Sequence, residues 1–125
     1  MSMMEDVADY LELAGVGTVG TNIFKGNMPD SPDQCITVYA YAGETPDLSI
    51  DIERPGLQVK SRALTAEDAL DLAEHALAHL HKATSQTING VLYYYIHALQ
   101  SPIHLGRDEK GRYMYSVNYN VVKEL

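Results

Sequence analysis

Tryptophan is absent from the 125 residues, and phenylalanine and cysteine occur once each. The lone Cys35 has no partner for an internal disulfide. Its neighbours Ile36 and Val38 predict a strand, and hence a reduced, packed thiol. Basic residues are also scarce, with nine Lys and Arg against 17 Asp and Glu and a net charge of −8. So acidic a chain gains no counterion-release affinity for DNA, which disfavours specific nucleic-acid binding. No apolar run approaches the ~20 residues of a membrane span. The stretch Met1-Ser2-Met3-Met4-Glu5-Asp6 has no basic segment ahead of an apolar one, so no signal peptide is predicted. These absences predict a soluble intracellular protein with no membrane partner.

Hydrophobic residues make up 46% of the chain, which argues against disorder. The length suits a single domain over residues 1–125. Tyrosine is abundant, with nine copies. Its apolar ring and polar tip suit partly buried faces and interfaces.

The clearest local signal runs from Leu64 to Lys82. Thr65 followed by Asp68 is a near capping box. Ala66, Leu70, Ala73, Leu77 and Leu80 then form one apolar stripe at helical spacing, opposite Asp68, Asp71, His75, His79 and Lys82. A second, shorter helix is predicted over Glu5 to Ala14, with Val7, Tyr10, Leu11 and Ala14 inward and Gly15 as its stop. Gly15, Gly17 and Gly20 make a connector but no phosphate loop, because no Gly-Lys-Ser/Thr follows.

Strands are predicted over Thr21–Lys25, Gln34–Ala42, Leu57–Ala63, Val91–Leu99 and Tyr113–Lys123. The turn-rich stretch Gly26–Asp33, the Gly43–Asp47 breaker, Pro55-Gly56, Asn89-Gly90 and Asp108–Gly111 separate them. Leu48–Arg54 is ambiguous, Thr84–Thr87 reads as a polar connector, and Pro102 marks a strand end or edge. The order lacks strict βαβ alternation. It predicts an α+β fold, a mainly antiparallel sheet of about four to five strands covered by two helices.

Three constellations bear on chemistry. His75 and His79 lie one helical turn apart, as two zinc ligands would, but no third ligand follows and Glu74 does not lie between them. Pro46-Asp47 with Gln58-Val59-Lys60 loosely follows the PD-(D/E)xK pattern of metal-dependent nucleases. Gln58 stands where that pattern has a carboxylate, and it is the weaker ligand for a hard cation. Asp30, Asp33, Asp47, Asp51 and Glu53 lack the spacing of a calcium loop. No catalytic residue, metal site or cofactor is predicted. The alternatives kept open are such a nuclease and a generic ligand-binding α+β module.

Three stretches in order carry a resemblance. They are Gly26-Asn27-Met28-Pro29-Asp30-Ser31-Pro32, then Leu57-Gln58-Val59-Lys60-Ser61-Arg62-Ala63 running into the Ala/Leu helix, then Pro102–Arg112 followed by Ser116-Val117-Asn118-Tyr119. Over residues 16–121 the chain resembles minor capsid proteins of tailed bacteriophages and prophages, which are similar to tail-terminator and tail-completion proteins that join head to tail. The resemblance implies a structural virion protein, present in the host cytoplasm during assembly. It implies a closed ring of copies, a hexamer by analogy, with tail-tube and head-connector proteins as partners. It transfers no active-site residue. Within this reading Lys25, Met28, Pro29, Asp30 and Pro32 are expected at a subunit or partner interface, because a Pro/Gly-shaped loop with an apolar tip suits a protrusion. The acidic balance, repeated around a ring, predicts an acidic inner wall, and self-repulsion that salt would relieve.

Overall fold

The computed structural model describes residues 2–44, 51–81 and 83–125. Two helices, α1 (Met3–Leu13) and α2 (Ala66–Leu80), accompany seven strands. These are β1 (Ile23–Lys25), β2 (Cys35–Glu44), β3 (Ile52–Ala63), β4 (Ala83–Ile88), β5 (Val91–Ala98), β6 (Ile103–Arg107) and β7 (Tyr113–Glu124). The sheet order is β1-β2-β3-β7-β5-β4, with β6 also paired to β7.

The α+β class stands, but seven strands replace the expected four to five. The sheet is also mixed, because β1 runs parallel to β2 while the other pairings are antiparallel. One extra strand is β4, which the polarity of Thr84–Thr87 disguised as a connector. Those four residues are exposed on the sheet's outer edge, where side chains meet water on both faces and the apolar alternation vanishes. β5 and β6 pair with successive halves of the same edge of β7. They act as one strand interrupted around Pro102, which has no N–H to pair.

Both helix starts follow the capping rule. Thr65 Oγ1 accepts from the Asp68 N–H at 3.1 Å, and Ser2 Oγ accepts from the Glu5 N–H at 3.2 Å, which starts α1 two residues ahead of the expected Glu5. The buried side of α2 is Ala69, Ala73, Ala76 and Leu80. Of the expected stripe, Ala73 and Leu80 are buried, whereas Ala66, Leu70 and Leu77 lie at its margins. The small side chains centre on the contact because the helix backbone itself meets the sheet, with Ser61 Oγ donating to the Ala69 carbonyl at 2.7 Å.

That bond defines the helical face of the sheet. Through the register it carries Ile36, Val38, Leu57, Val59, Val117, Tyr119 and Val121, all essentially buried. α1 touches β1 and β2 at one edge and β4 at the other, so the sheet curls around it. A polar tie closes the curl. Tyr93 Oη donates to Asp6 Oδ2 at 2.6 Å, and Asn89 Nδ2 donates to Asp6 Oδ1 and Asp9 Oδ2, each at 2.9 Å. Asn89 and Gly90 both take positive φ at the β4–β5 turn, as the Asn-Gly signal requires.

Pro55-Gly56, expected as a turn, lies inside β3. The β2–β3 register shifts between Tyr41 and Glu44, and no pairing to β7 falls on Pro55, so its missing N–H leaves no partner unpaired. A Cβ on Gly56 would meet the Tyr41 ring at 2.2 Å. The expectations on residues 45–50, including Pro46 and Asp47, and on Lys82 lie outside the described residues.

Candidate interaction surfaces

The loop after β1 is fixed from beneath by two arginines. Arg62, on the sheet face away from the helices, is 4% exposed. Its guanidinium donates to the carbonyls of Pro29 at 2.7 Å, Pro32 at 2.6 Å and Asp33 at 3.2 Å. Arg112, equally buried, stands where the β6–β7 turn rejoins β7. It donates to Asp108 Oδ2 at 2.8 Å, to Asp33 Oδ1 at 3.3 Å, to Asp30 Oδ1 at 3.2 Å and to the Asp30 carbonyl. Lys110 Nζ pairs with the Asp30 carboxylate. That hydrogen bond from Lys110 holds the Asp30 carboxyl below the ordinary range, with Arg112 adding to it. Partial burial works to raise the Asp108 carboxyl, but the donors of Arg112 and Lys110 win and lower it. Planar guanidinium forks suit this task, since each spans several acceptors at once.

The expected interface residues separate on this scaffold. Asp30 and Lys25 are exposed, while Met28, Pro29 and Pro32 are half-buried. Pro29, Asp30 and Pro32 are bound to the clamp through carbonyl or carboxylate oxygens, whereas Lys25 ends β1, paired to Val38. The loop is therefore a shaped ridge. The two arginines carry no motif, and only the pairing of Arg62 with Cys35 and of Arg62 with Met114 brings them under the loop.

Beyond the ridge no helix covers the same sheet face, whose central side chains are part-exposed. Tyr39, Gln58 and Asn118 form one row across β2, β3 and β7, and Tyr41, Gly56 and Asn120 form the next. Lys60 Nζ lies 5.3 Å from the centre of the Tyr39 ring. A β-bulge in β5 between Tyr93 and Tyr95 leaves Tyr94 and Tyr95 both exposed. The side-chain oxygens Thr37 Oγ1 and Asn118 Oδ1 on this face are buried without a hydrogen-bond partner.

The helical layer differs in charge. α1 and α2 together hold eight Asp and Glu and no Lys or Arg. Of the chain's 17 acidic residues that leaves nine elsewhere, against all nine basic ones. The whole net charge thus resides on two helices.

The remaining candidates do not converge. The His75 and His79 rings lie with centroids 5.2 Å apart, tilted by 56°, and no group of three His, Cys, Asp or Glu among the described residues could hold a metal ion. Gln58 and Lys60 share a strand face as expected, with Lys60 against Tyr39. A cleft between Glu44, Arg54, Tyr95, Asn120, Val121 and Val122 holds about 80 Å³, below the ~300 Å³ of a small-molecule site, and three larger depressions of about 310–380 Å³ are open surface grooves rather than enclosed cavities. Cys35 is fully buried, and burial pushes its thiol up, consistent with the packed, unreactive thiol expected.

The family model for the bacteriophage tail terminator protein matches residues 10–125. The chain belongs to the bacteriophage tail terminator family. The family is one of structural phage tail proteins. A chain from the virion of a native gene transfer agent particle has a similar fold, with a TM-score of 0.76 over 99% of this chain and 96% of that one, at 13% identity. A second solved structure aligns over 96% of both chains with a TM-score of 0.55 at 14% identity. At such identities the likeness is one of fold. No curated protein matches. No helix among the described residues of this tail terminator family member is long and apolar enough to cross a membrane.

Proposed function

We propose that this chain is the tail terminator of a tailed phage or prophage, a single-domain subunit that assembles into a closed ring at the end of the tail tube and joins it to the head. The observation that carries the reading is the family match over residues 10–125. The ring is a hexamer by analogy, and its partners are further copies of itself, tail-tube protein and head-connector protein. It resides in the virion after assembly in the host cytoplasm.

The surfaces support this reading. A structural ring needs one patch to meet a different patch on the next copy. The arginine-clamped ridge and the helix-free Tyr/Asn face offer pre-shaped, polar-aromatic surfaces of the kind found at interfaces. Met28, Pro29, Asp30 and Pro32 form the ridge with Lys25 at its base, at the end of β1, and Met28 is its apolar contact to a neighbouring copy or partner.

Light scattering and electron microscopy of the purified protein, with and without tail-tube protein, test the ring. Closed particles of uniform size are expected. A monomer at every concentration and with tail-tube protein present refutes the reading. Met28→Asp is expected to impair head–tail joining while leaving the fold intact, and wild-type joining by that variant removes the ridge from the interface.

A further inference from the structure

We propose that the helix-free sheet face is a docking surface for the acidic outer face of α2 from a second copy, so that copies associate head to tail. The inference rests on the ring reading above and names the two surfaces that meet.

The receiving face is set by register. Tyr39, Gln58 and Asn118 lie in one row, with Lys60 one residue pair away on the same face. The loop after β1 is fastened at the end near Arg62 and reaches Tyr39 through the Met28 backbone, both helices lie on the opposite face, and Tyr39, Gln58, Lys60 and Asn118 stay part-exposed. No Asp or Glu shares the rows of Tyr39, Gln58, Lys60 and Asn118. Among the described residues Lys60 has the Tyr39 ring beside it and no carboxylate at ion-pair distance.

The docking element is identified by charge. Glu67, Asp68, Asp71 and Glu74 are all exposed on α2, which carries no Lys or Arg, and none of the four is in an ion pair among the described residues. A face with an unpaired cation and no central acid complements a helix with unpaired acids and no strong base. The two surfaces lie on opposite sides of one sheet. They cannot meet within a chain, and their pairing is heterologous, the geometry that closes into a ring when the rotation permits. The same partition reverses the salt dependence drawn from net charge alone. Attraction across one contact weakens as salt is added, whereas uniform self-repulsion would relax.

The test is a charge exchange on the full chain, read by light scattering and electron microscopy. Lys60→Glu alone, and Asp71→Lys with Glu74→Lys alone, are each expected to raise the protein concentration needed for assembly by about tenfold or more. An equimolar mixture of the two variants is expected to assemble as wild type does, because each then offers the surface the other lacks. Wild-type assembly is expected to weaken between low and high salt. Unchanged thermal midpoints show that the variants fold, and the solvent-exposed α2 pair guards against a local effect of Lys60→Glu on β3. If wild type forms rings and either variant assembles normally, or the mixture fails to recover, this inference falls and the ring stands. If the variants lose only tail-tube binding, the face belongs to that partner and the inference likewise falls. A wild type that stays monomeric with tail-tube protein present overturns both.

Discussion

Replacing Arg62 with methionine removes the central fastening of the ridge while keeping most of the side chain's volume. The arginine is 4% exposed and donates to three carbonyls, those of Pro29, Pro32 and Asp33, at 2.6–3.2 Å. Hydrogen bonds from a charged donor contribute about 1.5–3 kcal/mol each. The three share one side chain, and the freed carbonyls border solvent and can take up water, so their losses do not add. A net cost of about 2–3 kcal/mol is expected. For 125 residues the midpoint falls by about 4 °C per kcal/mol, which gives a drop of about 8–12 °C in a thermal melt. Urea unfolding should give the same loss with an unchanged slope. Arg62→Lys should recover less than half of it, because an ammonium lacks the fork that reaches carbonyls spread over five residues. Limited trypsin digestion should also cut faster after Lys25, at the start of the freed loop. A drop below about 3 °C, or full recovery with lysine, would refute the clamp.

Tyr93→Phe leaves the buried Asp6 with Asn89 as its remaining donor and should cost about 1.5–3 kcal/mol by urea unfolding; a neutral result would mean that the curl is closed by packing alone. Gly43→Ala places a Cβ 1.9 Å from the Arg54 carbonyl, so overpacking of about 1–3 kcal/mol is expected, visible as faster amide exchange in the distal β2–β3 pairing. The lowered Asp30 and Asp108 carboxyls make the link between the β6–β7 turn and the ridge stabilising above the ordinary carboxylate pKa of about 4, and that stabilisation is lost as pH falls through their lower folded values. The melting difference between wild type and Asp30→Asn should accordingly be full at about pH 6 and shrink as the pH falls below about 4. Magnesium- or manganese-dependent cutting of DNA, lost in Lys60→Ala, is not expected; its detection would restore the nuclease alternative.

The sequence by itself determined whatever is settled within a few residues of the chain. Thr65 caps α2, Gly15 stops α1, Asn89-Gly90 and Gly111 take the positive φ their turns need, and Leu57, Val59 and Ser61 point inward by alternation. These are local energies, and no distant partner is required to read them. The ordered stretches from Gly26 to Tyr119 also carried the family resemblance. Only the tertiary structure decided what depends on a neighbour far along the chain. Thr84–Thr87 is a strand because β5 pairs with it, although its side chains are exposed. Pro55 sits within a strand because the bulge beside it asks for no N–H. α2 turns its alanines inward because Ser61 draws the helix backbone onto β3. Arg62 and Arg112 look like ordinary strand and turn residues until pairing sets both beneath a loop about 30 and 80 residues distant in the chain. Strand register brings such groups together, and register is fixed by the whole sheet at once rather than by any segment of it.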